Sequence, residues 1–133
     1  MVIYKSKFVE ISYDPEKSLI VDKFLPETRN MFSEDFKNEM KIFAEKCVLY
    51  KPKRELVHLL NMEFAIGPEL QDWMNETIFP HYQNIIKRMA FVMPTELVAN
   101  LSVEQTMDSH VAQTFTQKYF DNEKLAIEWL IME

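Results

Sequence analysis

The sequence predicts an α/β domain: a mixed, mostly parallel sheet of about five strands, flanked by about four helices and opened by an antiparallel hairpin. Two observations predict it. Strict alternation in "FVEISYD" gives way to a three-to-four-residue period in "SEDFKNEMKIFAEKCVLY". Short, nearly continuous apolar runs, "ELVHLLN" and "RMAFVMP", then alternate with helical segments. That alternation implies right-handed crossovers between parallel strands, with helices packed on the sheet.

The elements follow in order. In "FVEISYD", Val9, Ile11 and Tyr13 share one face and Phe8, Glu10 and Ser12 the other. The turn signal "DPEK" and then "SLIVDKF" complete a hairpin. Phe36, Met40, Phe43 and Cys47 form one stripe of the first helix, with Ser33 as the expected N-cap and Glu34 and Asp35 suiting the positive end of its dipole. "ELVHLLN" reads as a strand covered on both faces. "PELQDWMNETIF" is helical again, with Leu70, Trp73, Met74, Thr77 and Ile78 on one side. Pro68 sits in its first turn, and Pro80 is expected to end or kink it. "RMAFVMP" is a second buried strand, stopped by Pro94. Residues 57–60 and 90–93 are therefore the expected interior strand segments. Ser102 and Gln105 fit a capping box for a third helix, "QKYFD" a short strand, and "NEKLAIEWLIME" a closing helix with Leu125, Ala126, Trp129 and Leu130 on one side.

Composition bounds the classes. The 133 residues suit one domain, 1–133. Hydrophobic residues make up 47% and aromatics 13%, which excludes a disordered chain. Cys47 is the single cysteine, so no intrachain disulfide can form and a reducing compartment is expected. The stretch "MVIYKSKFVEISYD" has no long apolar core of a secretory signal, and no apolar run approaches the roughly 18 residues of a membrane span. The cytoplasm is the expected location. A net charge of −6 argues against a nucleic-acid partner, and the best basic stretch, "KPKRE" at residues 51–55, holds three positive charges in an expected loop.

The reactive side chains favour structural roles. His58 lies within an apolar strand and reads as a hydrogen-bonded structural histidine. His81 follows Pro80 at a helix break and is the most exposed of the three, and His110 sits on the third helix. No two histidines have the spacing of a helical metal pair, and no Cys-x-x-Cys occurs. Cys47 belongs to an apolar stripe rather than to the electropositive setting of a nucleophile. Asp72 and Glu76 read as a solvated acidic face. Neither a nucleophile elbow nor a dinucleotide fingerprint is present. No enzyme activity, metal or cofactor is expected.

The opening hairpin, "ELVHLLN", "MAFVMP" and above all the ending "KYFDNEKLAIEWL" resemble the STAS family of bacterial anti-sigma-factor antagonists. The resemblance spans nearly the whole chain and is closer still to a divergent, lipid-carrier-like branch. It implies a STAS fold and a non-enzymatic regulatory or interaction role. Regulatory members carry a phosphorylatable serine at the start of the second helix. Here that corner falls at "IGPEL", and Gly67, Pro68 and Glu69 have no hydroxyl, so the family's phosphorylation switch is not carried over.

The candidate site is the corner holding the only glycine: Met62, Glu63, Phe64, Ile66, Gly67, Pro68 and Glu69. Gly67 is expected to allow a tight approach or a positive φ, and Pro68 to suit the first helical turn. A phosphate loop would need more glycines and a Lys-Ser or Lys-Thr pair. The segment is apolar for a loop and surrounds an acidic residue, as a partner surface requires. The competing expectation is that Phe64 and Ile66 fold back over the end of the sheet. Two functions follow: an interaction domain with a protein partner, or a carrier or sensor of a small apolar ligand or lipid. A homodimer is compatible with both.

Overall fold

Among the described residues, six strands pair in the order in which they occur in the chain. The computed structural model describes residues 1–82, 84–95 and 116–132. Antiparallel pairing joins β1 (Val2–Lys5), β2 (Val9–Asp14) and β3 (Leu19–Phe24). Parallel pairing then adds β4 (Arg54–His58), β5 (Arg88–Val92) and β6 (Thr116–Phe120). The α/β class and the mixed sheet agree with the sequence reading, with β1 as a strand beyond the expected hairpin. The described helices are α1 (Ser33–Tyr50), α2 (Pro68–Trp73) and α3 (Glu123–Ile131). The helix expected from Ser102, with His110 on it, lies outside the described residues.

Strand parity divides the sheet into two faces. Ile11, Ile20, Val57 and Met89 point to one face, where they meet Phe36, Met40, Phe43 and Cys47 of α1 and Leu70 of α2. The predicted α1 stripe is thus buried as a unit. Leu19, Leu56, Ala90 and Val92 point to the other face and pack under Ala126 and Leu130 of α3. Placing α1 and α2 on the same face is what right-handed crossovers between adjacent parallel strands require.

Local chemistry corrects several boundaries. Phe32, not Ser33, caps α1: its backbone N–H donates to the Asp35 carboxylate at 2.9 Å. Pro80 does not stop the second helix outright. The chain leaves α2 through a π turn (Met74–Ile78), in which the Phe79 N–H reaches Met74 O, and Pro80 then sits in a 3₁₀ turn (Phe79–Tyr82). The missing proline N–H is thereby absorbed by a change of helical period. Strand β4 ends at His58 and Leu60 is 41% exposed, so the interior segment is shorter than residues 57–60. Strand β5 likewise ends at Val92. Leu125 is 52% exposed, leaving Ala126 and Leu130 as the buried pair of α3 and Trp129 half-buried beside them.

Candidate functional site

The corner at residues 62–69 leaves the C-terminal end of β4 and is tied down on its inner side. Leu59 N–H donates to Val92 O at 2.7 Å, and Met62 N–H to Leu59 O at 3.2 Å. Glu63 N–H donates to the hydroxyl of buried Thr28 at 2.9 Å, and that hydroxyl in turn donates to Leu25 O at 2.7 Å. The Phe64 ring stacks on Phe36 of α1, with centroids 5.4 Å apart. Met62 and Phe64 pack half-buried against the core, while Glu63, Ile66, Gly67, Pro68 and Glu69 are exposed. Of the two apolar residues expected to fold back, Phe64 does and Ile66, 37% exposed, does not.

Gly67 is not needed for a positive φ. It caps α2 with φ −78° and ψ 176°, ordinary extended backbone, and a Cβ there would meet nothing within 4 Å. The expectation of a tight approach or a left-handed turn is therefore corrected. Positive φ falls instead on Ser18, Lys51 and Asn84.

The sheet's order bears on what this edge can bind. Ligand crevices in open α/β sheets form where the strand order reverses, so that neighbouring strands send their connections to opposite faces. Here β3, β4 and β5 are consecutive neighbours, and both of their crossover helices pack on one face. Among the described residues, no reversal of strand order falls at this point.

The remaining predicted side chains are spread through the fold. Cys47 is buried, and its thiol is pushed up by burial and then by the Glu55 and Asp22 carboxyls nearby. His81, Asp72 and Glu76 are exposed. His58 is buried at the end of β4 on the α3 side, with Nε2 3.9 Å from Glu123 and Nδ1 without a hydrogen bond among the described residues. Burial lowers its pKa, Lys23 adds to that lowering, and Glu123 and a backbone hydrogen bond oppose it. At neutral pH the ring is then uncharged, so the Glu123 approach is a polar contact rather than an ion pair. His58 is buried as its place in an apolar strand implies, but its Nδ1 lacks the expected hydrogen bond among the described residues.

Two groupings were not foreseen. The first is a set of carboxyls sealed beneath α1: Asp22 of β3, Glu55 of β4 and Glu39 of α1. Glu39 accepts hydrogen bonds from Tyr4 at 2.7 Å and from the Ser6 hydroxyl. Asp22 Oδ1 and Glu55 Oε1 have no partner among the described residues. Burial, and then Glu39, push Asp22 up to about 8, while burial and Asp22 push Glu55 well above the usual carboxylate range. Asp22 is therefore largely protonated at neutral pH, and Glu55 is shifted in the same direction. The arrangement forms no metal cluster among the described residues. Its signal was present in the sequence: Asp22 is in phase with Ile20 and Phe24, and Glu55 with Val57.

The second lies at the opposite end of the parallel strands. Arg54 and Arg88 are register partners on β4 and β5. Arg54 Nε donates to Leu130 O at 2.7 Å, and Arg88 Nη1 to Trp129 O at 2.8 Å and to Met132 O. Cations thus meet the negative end of the α3 dipole. With Lys53 and Lys87, they line a cleft of about 230 Å³ walled by Leu130 and Met132. The "KPKRE" stretch is therefore only partly a loop: Arg54 and Glu55 belong to β4, and they point to opposite faces of the sheet.

Among the described residues, no helix is long and apolar enough to cross a membrane. No protein-family model matches the chain, and neither curated proteins nor solved structures yield a match to it.

Proposed function

We propose that the protein is a non-enzymatic, STAS-like interaction domain of the cytoplasm, which docks a protein partner through the corner at residues 62–69. The observation that carries this reading is the split within the corner. Phe64 and Met62 are fastened to the core, while Ile66, Pro68 and Glu69 stand in solvent on that fixed base. A surface held in place before binding loses little entropy on docking. The exposed apolar pair supplies contact area, and Glu69 supplies an orienting charge.

The test compares wild type with Ile66→Ser and with Glu69→Lys, each at equal folded fraction, for recovery of a stoichiometric partner from the source cell. Both variants should keep the wild-type melting curve and lose about tenfold or more in affinity for that partner, as anchor and orienting residues do. Unchanged recovery would remove the corner from the reading. A stoichiometric apolar molecule extracted from the purified protein, with no protein partner, would instead mark a carrier.

A further inference from the structure

The cleft at the N-terminal edge of β4 and β5 stands apart from the corner, at the other end of the same strands. The chain carries an excess of acidic residues, 21 against 15 basic, yet this cleft is lined by four cations and two apolar residues. Its floor repeats one dipeptide. Lys53-Arg54 and Lys87-Arg88 lie side by side, because Arg54 and Arg88 are paired in register. Like charges placed directly opposite on neighbouring strands repel. The α3 carbonyls offset part of that repulsion and fix both guanidinium groups. Arg88 is held further by the Trp129 ring, 5.5 Å away.

The fixing leaves donors over. A guanidinium has five N–H bonds. Arg54 donates its Nε to Leu130 O and its Nη1 to Lys17 O, and Arg88 donates its Nη1 to Trp129 O and Met132 O. Nη2 of Arg54, and Nε and Nη2 of Arg88, have no acceptor among the described residues. Lys53 and Lys87 have no carboxylate partner there either. The backbone amides at the cleft are already satisfied: Lys53 N–H by Ser18, and Lys87 N–H by Lys53 O. Recognition must therefore come from these side chains.

We propose that this cleft is an anion site that takes a phosphate-bearing group. A free Nε–Nη2 edge matches two oxygens of one tetrahedral anion, and the two ammonium groups supply mobile charge around it. A singly charged carboxylate would leave most of the positive charge uncompensated, whereas a phosphate brings about −1.5 to −2. The volume of about 230 Å³ leaves room for a phosphate with a small substituent. The group can come from a free phosphorylated molecule or from a lipid headgroup.

The test uses the intact chain with two probes: inorganic phosphate, and phosphatidylcholine vesicles with and without phosphatidic acid. Phosphate is titrated against sodium chloride of equal ionic strength while NMR follows the Arg88 Nε–H and the Lys53 and Lys87 amides. Vesicle binding is read by co-sedimentation. Saturable shifts confined to the cleft support a free anion as the ligand; binding only to vesicles containing phosphatidic acid supports a headgroup. In either case Lys53→Ala with Lys87→Ala, both exposed and remote from the core, should weaken binding about tenfold or more with an unchanged melting curve. No saturable response to either probe, or equal binding by the double variant, overturns the proposal.

Discussion

Asp22 places an acid where its neighbours Ile20 and Phe24 on the same face are apolar, and stability should record it. An unfolded aspartate ionises near 3.8, whereas this one is pushed up to about 8. Between those values the folded chain holds a proton that the unfolded chain has released. The contribution of this group is therefore fully present below pH about 4 and is lost as pH rises to about 8. Glu55 shifts the same way. Urea midpoints should fall from pH about 5 to about 8, and Asp22→Asn should flatten that slope and raise stability at neutral pH. A flat wild-type profile would show that the carboxyl is not sealed. Gly67 offers a second measurement at this scale. With φ negative and open space at its Cβ, Gly67→Ala should not strain the chain; a gain of about 0.4–1 kcal/mol through the unfolded state is offset by a poorer cap of similar size, so stability should stay within about 0.5 kcal/mol of wild type. A loss above about 1 kcal/mol in the same melts would contradict the extended geometry. The α1 stripe was legible because helical period and burial coincide in it. The buried acids are harder to read, because a charged side chain ordinarily marks an exposed position, although the phase of Asp22 and Glu55 with apolar neighbours places them inside. Phe64 and Ile66 are both apolar, and no local pattern decides which one turns inward; Phe36, distant in sequence, decides it.

At the level of elements, α3 is short and is fastened at both ends. Asn122 accepts from Leu125 N–H at its start, and the two arginines bind its final carbonyls. Replacing Arg88 with alanine removes charge-assisted bonds and the contact with Trp129. It should cost about 1.5–3 kcal/mol, with faster hydrogen exchange in the last turn of α3. Exchange rates equal to wild type would show that packing by Ala126 and Leu130 alone holds the helix. Trp129→Ala should cost less than the roughly 3–5 kcal/mol of a fully buried ring, since Trp129 lies half-exposed between Phe120 and Arg88. Elements with a strong period, such as α1, or an unbroken apolar run, such as β5, are readable from sequence almost to their ends. Strand β1 was missed because "VIYK" is four residues long and is stabilised by pairing with β2, a contact that sequence periodicity does not contain. The π turn escaped for a related reason: one added residue per turn leaves the apolar spacing of Met74 and Ile78 unchanged.

Across the whole molecule, α1 joins the antiparallel and parallel parts of the sheet, touching the core that contains Ile11 and Ile20 as well as Val57 and Met89. Phe43, fully buried in that helix, should cost about 3–5 kcal/mol on replacement by alanine. The loss should appear as one earlier transition seen alike by far-ultraviolet circular dichroism and by tryptophan fluorescence. Two separated transitions would show that the two parts of the sheet melt independently. The sheet's order has a further consequence, for the making of the protein. Because each described strand is laid beside the one before it, a chain emerging from the ribosome need not leave a gap among these six for a later strand or thread one between two that have already paired. The β1–β3 meander can form first, and each crossover then extends it by a single strand along its open side. Growth by addition at one edge means that each described pairing spans no more than one crossover, although every parallel pairing still closes a long loop and so forms more slowly than the opening meander.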